Sequence, residues 1–216
     1  MTVAAFVLRP SEVSSLDVAG LLLLSARVAL RVQPWLPRGA DLLADRALDR
    51  VVAAARGAPL ARATFNELHA RISYLGARAA NVDAVDGYRN NYAALAVCNA
   101  LIATQQTERK PLVKAVVDGA KYACSIAAGL AHDKRVTEAA PEQSTLVDFV
   151  CERTWSQIRR DIALIGALAP TADKRDANPG AASLEAITDA RALRELAPLW
   201  DDPGPSWAAP STTSRG

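Results

Sequence analysis

The chain has 216 residues, half of them apolar and 5% aromatic, with a formal net charge of +2. This is ample for a sizeable core, and the near-neutral balance, with no block of like charges, excludes the electrostatic footprint of a nucleic-acid or anionic-lipid binder. The longest apolar stretches, 19–24 and 92–98, fall far short of the roughly 20 residues that a membrane span needs.

The apolar mass is chiefly Ala, Leu and Val rather than aromatic. Ala and Leu are strong helix formers, so composition alone points to helix. The first helix is expected over about 17–33, capped by Ser14 or Ser15 and closed by Pro34 and Pro37. Its run Leu21 to Leu24 is apolar around much of the circumference, which predicts a central helix. A second helix spans about 41–56, with Asp41 and Asp45 near its positive end and Gly57 and Pro59 stopping it.

The third runs over about 60–80, with Phe65, Leu68, Ile72, Leu75 and Ala79 recurring at helical spacing. The fourth starts at Asp83 and reaches about 105, with Val85, Tyr88, Tyr92, Leu95 and Ile102 on one face. The fifth begins at Pro111, a favoured first helical position, and extends to about 132. Val113, Val116, Val117, Ala120, Cys124 and Ala127 make its stripe, and Lys114 can pair with Asp118 on the opposite side. The sixth covers about 141–168, with Val147, Cys151, Trp155, Ile158, Ile162 and Ile165 inward. Short connections favour antiparallel neighbours. The fold class is therefore all-α, an antiparallel bundle of about six helices over 1–168. Residues 169–216 form a Pro-rich extension: a linker, a possible short helix over 183–196, and a tail bearing Trp200 and Trp207.

Histidine is confined to His69 and His132, and no HExxH, GxSxG, Walker A or GxGxxG motif is present. The adjacent pair His132-Asp133 has the signature dipeptide of the HD-type metal phosphohydrolases, with His69 as an upstream ligand and Asp148 or Asp161 as a downstream one. The simpler reading of His132 is a cation near a helix C-terminus, where the dipole favours it. Cys98, Cys124 and Cys151 lie on the inward stripes with no CxxC pair, so they read as small hydrophobes and no cofactor is expected. Without a basic n-region at the start, and with an odd cysteine count, the expected compartment is the cytoplasm.

Two polar clusters are candidates for partner binding. One is Asp83, Asp86, Arg89 and Asn90 at the start of the fourth helix; the other is Arg159 and Arg160 beside Trp155. The alternative for each is a solvated helix surface. Asn99 lies between Leu95 and Ile102 on the apolar side, where an amide must find partners and can set helix register or line a small-molecule pocket.

The segment 46–57, the Ala-rich helices around 93–103 and 120–128, and the closing 152–160 segment give the chain a texture that resembles small all-helical immunity proteins of bacterial toxin systems. The resemblance covers about 24–168 and contains no diagnostic motif. Such proteins often carry several His on their Ala-rich helices, and this chain departs from them in that respect. No functional residue is carried over. What the resemblance implies is a non-catalytic protein that binds another protein, its cognate toxin.

Overall fold

The structure, a computed structural model, describes residues 8–82, 87–138 and 143–168, and side chains over 8–82, 87–126 and 154–167. The described residues form an all-helical bundle without strands. Its helices are α1 (Val18–Val32), α2 (Asp41–Ala55), α3 (Arg62–Val82), α4 (Gly87–Ala103), α5 (Arg109–Glu138) and α6 (Gln143–Leu168). The expected linker, short helix and Trp-bearing tail over 169–216 lie outside the described residues.

The first helix is capped differently from expectation. Pro10 opens a 3₁₀ turn over Pro10–Val13, and the Ser14 hydroxyl donates back to the Ser11 carbonyl at 2.7 Å. Asp17 takes the cap instead, its Oδ1 accepting from the Gly20 amide at 2.7 Å. A second 3₁₀ turn, Gln33–Trp35, follows α1 and begins the reversal into α2. At the far end of α2, Gly57 adopts φ 86°, the Ala58 amide donates to the Ala53 carbonyl, and the Gly57 amide donates to Ala54. These bonds satisfy carbonyls that the helix end would orphan, in the manner of a Schellman motif.

As expected, α1 is the central helix. It touches α2, α4, α5 and α6, and residues 20–30 are buried without a break. Leu21, Leu24, Leu68, Ile72, Leu101, Leu112, Ile126 and Ile158 are among the largest fully buried side chains. On α3, Phe65, Leu68 and Ile72 point inward as the spacing predicts, while Leu75 and Ala79 are half-buried.

The inward face of α4 differs from the one its larger residues suggested. The buried residues are Gly87, Arg89, Ala93, Ala94, Ala96, Val97, Cys98, Ala100, Leu101 and Ala103, while Tyr92, Leu95 and Ile102 stand at the rim, Tyr88 is exposed, and Val85 lies outside the described residues. Small residues win the inside because they let helices approach closely. A methyl group placed on Gly76 of α3 would meet Ala94 Cβ at 2.6 Å, and one on Gly87 would meet the Ala79 carbonyl oxygen at 2.6 Å. Contacts between α3 and α4 run in reverse order: Ala79 lies by Gly87, Gly76 by Asn91 and Ala94, Ser73 by Cys98, and Arg62 by Gln105. These two helices therefore pack as a hairpin. Arg109, at the start of α5, donates to the carbonyls of Ser14 and Leu16 at 2.8 Å each, tying α5 to the segment that enters α1.

Candidate functional site

Two polar constellations stand out, and they differ in how much water reaches them. The first joins α1 to α6. Arg27 and Arg31, one helical turn apart, both reach Asp161, whose side chain is 2% exposed. Arg27 Nη2 lies 2.7 Å from Oδ1; Arg31 Nε donates to Oδ2 at 3.0 Å, and Arg31 Nη1 donates to Gln157 Oε1 at 3.1 Å. Both carboxylate oxygens thus accept from guanidinium groups. A charge taken out of water this completely persists only when it is paired and hydrogen-bonded, and this arrangement supplies both. Its chemistry is that of a clasp between helices, with no lone pair turned to a substrate.

The second constellation lies half in water. The Arg89 guanidinium sits 5.6 Å from the centre of the Trp35 ring and 5.3 Å from that of Tyr88, and its Nε donates to the Tyr88 hydroxyl at 3.1 Å. Tyr88 meets Tyr92 edge-on at a centroid separation of 6.0 Å, and Tyr92 meets Tyr122 of α5 at 5.4 Å. The result is an aromatic row from the turn after α1, across α4, to α5. Tyr88 is 36% exposed, and Trp35, Tyr92 and Tyr122 are half-buried. One turn from Tyr122, Asp118 pairs with Lys114, which holds the Lys114 ammonium above its ordinary value.

This row is where part of the first predicted cluster falls. Arg89 is buried at 5% exposure, against the expectation of a solvent-facing helix start, and its guanidinium lies near both the Trp35 and the Tyr88 rings. Asn90 is half-buried, and Asp83 and Asp86 lie outside the described residues. The second predicted cluster stays at the surface: Arg159 and Arg160 are exposed, Arg159 Nη2 pairs with Glu12 at 3.0 Å, and its guanidinium covers the buried Trp155 ring at 5.1 Å. The aromatic row was missed in the sequence because Tyr88 and Tyr92 sit at helical spacing among apolar residues and read as core.

The residues of the metal reading are spread across helices. His69 is half-buried on α3, its ring tilted on Phe65 at 5.3 Å, and burial lowers its pKa. Asp161 is committed to Arg27 and Arg31. His132 and Asp133 belong to α5, and Asp148 and Cys151 to α6, but their side chains lie outside those described. Among the described residues, no group of three or more His, Cys, Asp or Glu is placed to hold a metal ion. Cys98 and Cys124 are buried, as expected of small hydrophobes. Burial pushes the Cys98 thiol up to about 11, against a weaker opposing pull from the Ser73 hydroxyl 3.2 Å away. The Asn99 amide donates to the Leu95 carbonyl of its own helix at 2.9 Å, and its Cβ faces Gly119 of α5.

No known family model, curated protein or solved structure matches this chain. Among the described residues, no helix is long and apolar enough to cross a membrane.

Proposed function

We propose that this chain is a non-catalytic helical module that acts by binding another protein, in the manner of a toxin-neutralising immunity protein of a bacterial cytoplasm. The observation that carries the reading is the part-exposed aromatic row Trp35, Tyr88, Tyr92 and Tyr122, with the buried Arg89 guanidinium against Trp35 and Tyr88. Trp and Tyr are among the side chains enriched at binding hot spots, because each offers a large contact area with few rotors and a polar edge. Here their neighbours already hold them, so little conformational freedom is left to lose on association. The buried polar groups of the rest of the core support the same reading. The Asp161 carboxylate is committed to helix clasping, and the Cys98 thiol is kept protonated. The scaffold we propose for this surface is the antiparallel bundle, with a rim of Lys114, Asp118 and Lys121 that tunes the association rate.

The test is affinity capture from the native host, with the products of neighbouring genes assayed directly. A stoichiometric partner is expected for the wild-type chain, and the triple variant Tyr88→Ala, Tyr92→Ala, Tyr122→Ala loses it while keeping its helical circular dichroism. Failure of the wild-type chain to bind any candidate, or undiminished binding by the triple variant, overturns the reading.

A further inference from the structure

α3 lies at an edge of the bundle. It packs against α4, with a smaller contact to α2, and leaves its outer side to solvent. Ala63, Glu67, Arg71, Tyr74, Arg78 and Val82 fall on one arc of about 100° at 3.6 residues per turn, and all six are exposed. Tyr74 is 64% and Val82 79% exposed, two of the five large apolar side chains left in water among the described residues. Single exposed apolar residues are ordinary. Two on one face of an edge helix, interleaved with charges, form a pattern.

We propose that this face is the contact surface of a symmetric homodimer, with α3 of two copies packed antiparallel so that Glu67 of each faces Arg78 of the other. The occupant follows from the order of the chemistry along the stripe. When the helix is set against its own reverse, with Arg71 opposite Tyr74 of the second copy, Glu67 comes opposite Arg78 and Ala63 opposite Val82. Each of the three pairings is favourable: a cation over a ring, an ion pair, and an apolar contact at each end. A two-fold interface demands this kind of self-complementarity, in which residue i meets j and j meets i. Within one copy, Glu67 already touches Arg71 at 3.4 Å, so in the pair it bridges two guanidinium groups. Ala70 and Ala77, exposed along the edge of the same arc, leave room for the helix axes to approach. This surface is separate from the aromatic row and does not depend on the function proposed for it.

The test is sedimentation equilibrium of the full-length chain at micromolar concentrations. The expected result is a reversible, concentration-dependent rise from the monomer mass of 22.9 kDa towards twice that value. Glu67→Arg and Arg78→Glu each place like charges at both symmetry-related pairs and weaken the dimer about a hundredfold. The combined variant, with the charges exchanged, restores it. All these positions are exposed, and unchanged helical circular dichroism verifies folding. A strictly monomeric wild-type chain, a dimer indifferent to the single reversals, or a combined variant that fails to recover overturns the proposal. A dimer that forms only once residues 169–216 are removed assigns the face to the chain's own tail and likewise overturns it.

Discussion

Arg31 grips Asp161 with two donors, Nε at 3.0 Å from Oδ2 and Nη2 at 2.8 Å from Oδ1, across 130 residues of sequence. Arg27, one turn earlier on the same helix, completes the clasp from the other side. A pair so far apart in the chain and so well shielded from water decides how α6 seats on the central helix.

Removal of the carboxylate leaves two guanidinium groups facing each other in the interior. Asp161→Ala is expected to cost about 3–5 kcal/mol of folding stability, read as a lowered midpoint in urea. Replacement of Arg27, Arg31 and Asp161 together by Met, Leu and Leu is expected to be neutral or stabilising, because the desolvation cost disappears along with the pair. A triple variant as unstable as the single one would show that the clasp contributes more than it costs.

The glycines of the helix contacts separate into two kinds. Gly76→Ala drives a methyl group to 2.6 Å from Ala94 Cβ, and Gly87→Ala drives one to 2.6 Å from the Ala79 carbonyl oxygen. Each forces α3 and α4 apart, and a loss of about 1–3 kcal/mol is expected. Gly119→Ala meets only ordinary contacts, at 3.7 Å from Asn99 Cβ and 3.9 Å from the Ala96 oxygen. A gain of about 0.5–1 kcal/mol is expected there, since a mid-helix glycine leaves more backbone freedom in the unfolded chain. Chemical denaturation of the three variants side by side distinguishes the two kinds.

Cys98 is predicted to be inert. With its thiol raised to about 11, almost none is thiolate at mildly alkaline pH, and thiolate is the reactive form. Peptide mapping after treatment with iodoacetamide should find Cys98 unmodified in the folded chain and fully alkylated in denaturant. Rapid native labelling of that peptide would contradict the packing described around Ser73 and His69.

His69 makes stability depend on pH with a definite sign. Burial lowers its folded pKa below the ordinary 6.5, so the unfolded chain takes up a proton first as pH falls. Its contribution is fully present above 6.5 and is lost as pH drops from there through the lower folded value. His69→Gln should therefore flatten the denaturation midpoint over this window relative to wild type. An unchanged slope would place the imidazole in water.

The sequence by itself determined where most helices begin and end. Pro34, Pro37 and Gly57 act through local backbone geometry, and most expected boundaries agree with the structure to within a few residues. The exception is α5, which runs on to Glu138 where an end near 132 was expected, so His132 lies inside the helix and not at its C-terminus. It also determined that α1 is central, because a helix apolar around much of its circumference is buried most fully in the middle of the bundle. Only the tertiary structure decided which side of α4 faces inward. Helical spacing marks out an apolar stripe, but α4 carries two of them, one of large residues and one of alanines, and close approach of α3 and α5 selects the alanines. That choice brings Tyr88 and Tyr92 to the rim and makes the aromatic row with Tyr122. The tertiary structure alone also buried Arg89 beside two rings and joined Asp161 to Arg27 and Arg31. Electrostatic pairing over such separations depends on distance in space, which local spacing along the chain does not encode.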